Sequence, residues 1–367
     1  IFLAIVAANL HQIDLVILDG DFAADELCNL QIDSAVIVKK QQVVPLAIES
    51  VDALVKTLTA NQYWQLTLFT SGTTGIPKSI THTFRSLIRA VRISPKHADD
   101  VWGFAYNPTH IAGLQVFYQA LLNGNTLVNL FYAARHTVLD LIKSFQITNI
   151  SATPTFYRML LPLTEVYPSV KRLTSGGEKF DAGLSEQLLS SFQNARMRNI
   201  YASTEAGTML EGADDTFLIK DESLYRIVDN ELYVHRSLLG EGDSALLVDD
   251  EWYHTGDLVE IIQENPKKVR FLHRKNEMIN VGGYKVNPLE VEEIICMHHA
   301  VKQAFVYGKP NTLLGHILIA DIVAEAGLTE KEIRTFLQSR LQLYKIPRIV
   351  NFVDNIRLTR SGKLKRT

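Results

Sequence analysis

The sequence predicts an α/β protein: a large N-terminal α/β domain with parallel sheets and a small antiparallel module, followed by a small α+β C-terminal domain. Three observations predict it. Over residues 1–200, short apolar runs rich in β-branched side chains alternate with stretches of helical character, the pattern of a largely parallel sheet covered by helices. From about residue 216 the texture changes to short strands separated by Asp, Asn and Gly turns. Beyond residue 280 two helical and two strand-like segments make a compact α+β unit. At 367 residues the chain is too long for one ordinary domain. The polar segment 274–280 places the boundary near Asn276, giving domains 1–275 and 276–367.

The elements follow in order. Residues 15–18 and 35–38 are apolar runs that read as buried strands, and 21–30 and 51–60 read as helices. Residues 66–69 form a strand that runs directly into a loop of glycines and hydroxyls. Helices are expected over 84–91 and 114–122, and strands over 126–130 and 149–152. The antiparallel module has strands at 225–228, 231–235 and 244–248. The C-terminal unit has helices at 290–297 and 330–340 and strands at 301–307 and 317–323.

Composition excludes several classes. Thirty-seven basic and 40 acidic residues give a net charge of −3, so no field of one sign favours nucleic acid or an anionic membrane. An apolar share of 47% supports a packed core and argues against long disorder. Cys28 and Cys296 are far apart without metal-ligand spacing, which predicts two reduced, buried thiols in a cytoplasmic protein. The apolar run 1–10 is too short to span a bilayer and has no basic leader, so neither a membrane span nor a signal peptide is expected.

The sharpest chemical feature is Thr70-Ser71-Gly72-Thr73-Thr74-Gly75-Ile76-Pro77-Lys78. Two glycines let backbone N–H groups approach an anion, four hydroxyls add donors, and Lys78 adds positive charge. The spacing is not that of a Walker A loop. The order of residues resembles the signature loop of the adenylate-forming superfamily, which contains acyl- and aryl-CoA synthetases, nonribosomal adenylation domains and beetle luciferase.

Further motifs resemble that superfamily in its chain order. Asn107-Pro-Thr-His110-Ile-Ala-Gly113 resembles the segment bordering the acid pocket, which implies His110 near the substrate carboxylate. The aspartate usual in amino-acid-activating members has no obvious equivalent there. Thr174-Ser-Gly176-Gly177-Glu178 resembles the glycine turn beside the acyl-adenylate. Glu178 stands where the family often has a small residue, and reads equally as a pocket determinant or a solvated turn residue. Asn199-Ile-Tyr201-Ala-Ser-Thr204-Glu205 resembles the nucleotide motif. The resemblance implies Asn199 near the adenine amino group, Tyr201 stacked on the base, Thr204 on phosphate and Glu205 on Mg²⁺. Ala202 replaces the usual glycine. Tyr253-His-Thr-Gly-Asp257 resembles the ribose motif, implying Asp257 on the ribose hydroxyls, with Arg274 reaching ribose or phosphate. Asn276 stands at the hinge position, where the family usually has Asp or Lys. Gly282 and Gly283 match the turn lining the thiol tunnel, and Lys363 in Ser-Gly-Lys matches the adenylation lysine.

The resemblance, spanning 70–363, implies a compact or N-terminally short member of the family with a mobile C-terminal domain. It implies an acid–thiol ligase that uses ATP and Mg²⁺ to adenylate a small-molecule carboxylic acid with release of pyrophosphate. The acyl group then passes to CoA or to the phosphopantetheine of an acyl carrier protein. His110, Ile111, Leu114 and Phe117 fit an aromatic or fatty acid better than a highly charged one. Two other classes stay open: a non-catalytic truncated relative that binds nucleotide or acyl ligand, and a luciferase-like oxygenase.

Overall fold

The computed structural model describes residues 1–18, 50–70, 78–178, 180, 182–242, 247–249, 251–275, 278–282, 284–311 and 314–356. The expected helix 21–30 and strand 35–38 lie outside the described residues. Three sheets organise the described chain.

The first sheet runs Leu15–Val16, Gln65–Thr70, Lys78–Thr83, Glu241–Gly242. Its outer pair is parallel, but Gln65–Thr70 and Lys78–Thr83 form an antiparallel hairpin in which Thr70 faces Lys78. The strands on either side of residues 71–77 are therefore antiparallel neighbours in a mixed sheet.

The second sheet has twelve strands. Thr126–Asn129, Val101–Phe104, Asn149–Ala152, Arg172–Gly176 and Arg196–Ser203 lie side by side in parallel. The strands of the expected antiparallel module continue this same sheet, from Gly207–Gly212 through Thr216–Leu218, Lys267–Arg274 and Trp252–Glu264 to Glu231–His235 and Tyr225–Val228. The change of direction falls at the turn 204–206. Parallel strands need a crossover, whereas a tight turn reverses the chain at once, so pairing of 196–203 with 207–212 is antiparallel.

Helices Arg135–Ser144, Pro154–Leu160 and Ala182–Ser191 cover one face of the parallel strands. Their Val138, Ile142, Tyr157, Leu184 and Leu188 close over Ile150 and Leu173. Helix Ile111–Leu121 serves both sheets. Leu114, Phe117 and Tyr118 pack against Leu66 and Leu68 of the first sheet and Phe84 just after it, while Val116 packs with Phe104 of the second and with Tyr106 just beyond that strand. Such a helix must be apolar on two sides, which explains its high share of large apolar residues. Fully burying a side chain such as Leu114 stabilises by about 1.5–3 kcal/mol.

Two expectations are corrected. The helix expected over 84–91 is the single turn Phe84–Leu87. Beyond Leu87 the backbone tightens into three-residue turns, Arg89 N–H bonding to the Ser86 carbonyl and Val91 N–H to the Ile88 carbonyl, while the Arg89 guanidinium bonds to the carbonyls of Leu238 and Ala206. Cys296 is exposed, not buried: Val291 and Ile295 take the inner face of helix Pro288–Cys296, and residue 296 falls on the outer one. Cys28 lies outside the described residues.

The third sheet runs Tyr284–Val286, Ile279–Val281, Gly315–Ala324, Val301–Asn311, with Ile349–Phe352 parallel to Gly315–Ala324. Val291, Ile295, Ile333 and Leu337, from helices Pro288–Cys296 and Glu330–Gln338, join Val306 and Ala320 of this sheet in one core. Asn287 caps the first helix, with Pro288 at its first turn, and Thr329 with Glu332 forms a capping box on the second. No described helix is long and apolar enough to cross a membrane.

Candidate functional site

The second sheet places a buried carboxylate, a phenol and a guanidinium together, the phenol from strand Arg196–Ser203 and the other two from the antiparallel strands Trp252–Glu264 and Lys267–Arg274. Asp257 is held by its strand partner Arg274 and by the turn before it. Gly256 adopts φ +70°, a conformation that side-chain-bearing residues avoid, and its N–H donates to Glu231 at 3.1 Å. The Thr255 hydroxyl donates to the Leu232 carbonyl and accepts the Asp257 N–H. Asp257 is only 7% exposed, yet both its oxygens are satisfied. Arg274 Nε donates to Oδ1 at 2.7 Å and Tyr201 Oη donates to Oδ2 at 2.6 Å. Burial and the Asp257 carboxylate both hold the Tyr201 phenol well above its ordinary pKa, so it stays a donor at neutral pH. One face of the Tyr201 ring stacks on Phe271, with centroids 4.1 Å apart. Tyr201, Asp257 and Arg274, 56 and 17 residues apart in sequence, are thus one cluster.

Thr204 and Glu205 sit in the turn that follows strand 196–203, both half-buried. The Thr204 carbonyl accepts from His82 Nε2 at 2.6 Å, and the Glu205 carbonyl accepts from the Gly240 N–H at 2.7 Å. Nearby, burial raises the Tyr253 phenol, and the Glu205 carboxylate raises it further. No group of three His, Cys, Asp or Glu among the described residues is placed to hold a metal by protein ligands alone. A single carboxylate beside bound phosphates is nonetheless an ordinary Mg²⁺ environment, since that ion keeps waters and phosphate oxygens as ligands.

A second group lies at the C-terminal ends of the parallel strands. Glu178 Oε2 accepts from the Thr155 N–H at 3.0 Å and from the Thr155 hydroxyl at 2.7 Å. It is therefore bonded to the first turn of helix Pro154–Leu160 rather than simply solvated. Gly176 approaches the Ile200 backbone and the Tyr106 hydroxyl so closely that a Cβ would lie 3.2 and 3.5 Å from them. The Tyr106 hydroxyl donates to the Ala152 carbonyl. Gly177 takes φ +86°. His110 is half-buried at the N-cap of helix Ile111–Leu121, its N–H bonded to the Asn107 carbonyl. Gly113 permits this turn, because a Cβ there would meet that same carbonyl at 2.3 Å.

Other expected residues make separate contacts or lie outside the described residues. The Asn199 side chain is buried and donates to the Asp214 carbonyl. Thr70 and Lys78 face each other across the hairpin. Gly282, at φ +59°, belongs to the third sheet's turn and donates to the Leu314 carbonyl. Ser71, Gly72, Thr73, Thr74, Gly75, Asn276, Gly283 and Lys363 lie outside the described residues. Sequence reasoning missed Glu231, His82, Arg89 and Gly240, which grip the two turns. None stands inside a recognisable motif, and only the fold brings them there.

The family described as AMP-binding enzyme matches residues 13–228, more than half of the chain, and the AMP-binding enzyme C-terminal domain matches residues 290–363. The chain belongs to the AMP-binding enzyme family, within the adenylate-forming superfamily. AMP-binding enzymes similar to it include the 2-succinylbenzoate–CoA ligase of Listeria monocytogenes, 27% identical over 328 residues that cover 82% of this chain and 68% of that protein. The ligase of the same name from Staphylococcus aureus is also 27% identical, over 82% of this chain and 65% of its own. The chain thus spans about two thirds of the length of these relatives. Among solved structures, ATP-bound MatB from Rhodopseudomonas palustris shares the fold with a TM-score of 0.67 at 21% identity, over 85% of this chain and 71% of that one. The o-succinylbenzoate CoA synthetase of Bacillus subtilis, in complex with its acyl-adenylate intermediate, gives 0.64 at 24% identity, over 82% and 67%. These likenesses agree with the α/β reading of the sequence and with the resemblance carried by its motifs.

Proposed function

We propose that this AMP-binding enzyme adenylates an organic carboxylic acid with ATP, releases pyrophosphate, and passes the acyl group to CoA. The observation that carries the reading is the convergence of Tyr201 and Arg274 on the buried carboxylate of Asp257. A buried carboxylate presented on a glycine turn accepts a pair of vicinal hydroxyls, and an aromatic ring beside it offers a stacking surface for a base. A nucleoside supplies both.

A free carboxylate resists attack by a thiol because its charge is delocalised and its oxygen is a poor leaving group. Attack of that carboxylate on the α-phosphate converts the oxygen into part of a good leaving group, AMP. The protein's work is positioning and charge neutralisation. Asp257 orients the ribose, and Arg274, already at its rim, neutralises ribose or phosphate oxygens. Thr204 contacts phosphate. Glu205 holds Mg²⁺, which offsets the charge crowding the phosphates when bound. Lys78 and the loop 70–75 hold the outer phosphates, and Lys363 stabilises the charge developing at the α-phosphate. His110, Gly176, Gly177 and Glu178 border the acid. Residues 276–367 act as a mobile lid turning near Asn276, and Gly282–Gly283 then border the incoming thiol.

An aromatic acid is the favoured class. The apolar surroundings of helix Ile111–Leu121 and the names of the curated relatives both point there. The test is pyrophosphate release with Mg-ATP and a panel containing 2-succinylbenzoate, simple benzoates, fatty acids and amino acids. Acid-dependent release names the substrate class, and acyl transfer is then compared between CoA and a phosphopantetheinyl carrier protein. Nucleotide binding without release, with every acid, identifies a non-catalytic relative instead.

A further inference from the structure

The turn bearing Thr204 and Glu205 is gripped from outside by groups that the reaction itself does not use. Three consecutive carbonyls are each tied down. Thr204 O accepts from His82 Nε2, Glu205 O from the Gly240 N–H, and Ala206 O from the Arg89 guanidinium. Arg89 also donates to the Leu238 carbonyl at 2.9 Å, so it bridges the turn to the segment that carries Gly240. Gly240 leaves no room for a side chain, because a Cβ there would lie 2.7 Å from the Thr81 carbonyl and 2.9 Å from the His82 ring. His82 is 1% exposed and stands on Lys78–Thr83, the strand that leaves the glycine–hydroxyl loop.

The chemistry of the ring fixes its proton. A carbonyl only accepts, so Nε2 carries the hydrogen. Burial lowers the His82 pKa and so favours the neutral ring, whose Nδ1 lies 3.1 Å from the Ser86 hydroxyl, itself bonded to the Thr83 carbonyl. The ring thus spans the first sheet and the turn at the switch point of the second.

We infer that His82 and Arg89 are positioning residues for adenylation, which set the Thr204–Glu205 turn against the phosphate-loop strand by holding its backbone carbonyls. The inference rests on the proposed function for the role of Thr204 and Glu205. Both side chains act through backbone carbonyls. Their effect is on where the phosphate and Mg²⁺ ligands stand, so it falls on Mg-ATP use and not on the acid.

The experiment compares His82→Gln with His82→Asn, and Arg89→Lys with Arg89→Met. Gln places its amide N–H near the Nε2 position, whereas Asn reaches only the Nδ1 position. The expected result is a KM for Mg-ATP, and a Mg²⁺ requirement, raised roughly tenfold in His82→Asn and Arg89→Met, because a buried carbonyl loses its donor. His82→Gln restores both to within about threefold, the size of a modest hydrogen-bond difference, and the KM for the acid is unchanged throughout. Thermal melts are recorded alongside. Equal kinetics for Gln and Asn, or a loss that follows melting temperature and affects acid and Mg-ATP alike, overturns the positioning role while the wild type still adenylates. A wild type that binds no Mg-ATP overturns the proposed function, and this role with it.

Discussion

The Tyr201 phenol donates a 2.6 Å hydrogen bond to Oδ2 of Asp257, while Arg274 Nε donates to the other oxygen at 2.7 Å. The protein's own side chains therefore satisfy the carboxylate proposed to receive ribose, so a nucleotide has to exchange with the phenol. Tyr201→Phe keeps the ring on Phe271 and removes only the donor. Its free energy of unfolding should fall by about 2 kcal/mol, the scale of a hydrogen bond to a charged group. Urea denaturation measures it. An unchanged midpoint would mean that the phenol adds nothing to Asp257.

Asp257→Ala deletes the acceptor of both partners. With the proposed ribose contact gone, kcat/KM for ATP should drop on the order of 100-fold, measured by pyrophosphate release at saturating acid. A loss confined to the acid's KM would place Asp257 in a different subsite.

Gly113→Ala drives a methyl group to 2.3 Å from the Asn107 carbonyl, which no rotamer relieves. The backbone of 107–113 must move, at about 1–3 kcal/mol of stability. Because His110 lies within that turn, the KM for the acid should rise more than the KM for ATP. Initial-rate kinetics with each substrate varied in turn decide this.

Glu178→Ala strips the Thr155 N–H and hydroxyl of their shared acceptor. The expected destabilisation is about 1 kcal/mol, as for losing a helix cap. The acid panel should change as well, with acids bearing a second carboxylate accepted better once the resident negative charge is gone. An unaltered order of acids would leave Glu178 a purely structural capping residue.

Buried His82 has a pKa below its ordinary value of 6.5, because burial disfavours the charged ring; the Arg89 guanidinium lowers it further, while the Thr204 carbonyl and the Glu205 carboxylate act oppositely. The unfolded chain binds that proton at higher pH than the native one. The contribution is therefore fully present above pH 6.5 and is lost as pH falls from there through the lowered native value. Denaturation midpoints between about pH 5 and 7.5 should show this slope in the wild type and a weaker one in His82→Gln. Parallel slopes in the two proteins would assign the effect to other groups.

The sequence determined what is local. The alternation of apolar runs announced the α/β class, and residues 149–152 and 51–60 form the expected strand and helix because their neighbours along the chain suffice to specify them. Motif order announced the family, since Thr70–Lys78 and Tyr253–Asp257 each carry their chemistry within one short stretch. The tertiary structure decided what depends on residues far apart. The helix expected over 84–91 is only Phe84–Leu87, and Arg89 beyond it bonds to carbonyls more than 100 residues away. The antiparallel module became the continuation of the parallel sheet because the turn at 204–206 reverses the chain within one sheet. Asp257 acquired its partners, and the Thr204–Glu205 turn its grip from His82, through hydrogen bonds that cost loop-closure entropy and form only when the sheets assemble. No local pattern encodes such a contact, because its energy depends on burial that the whole fold provides.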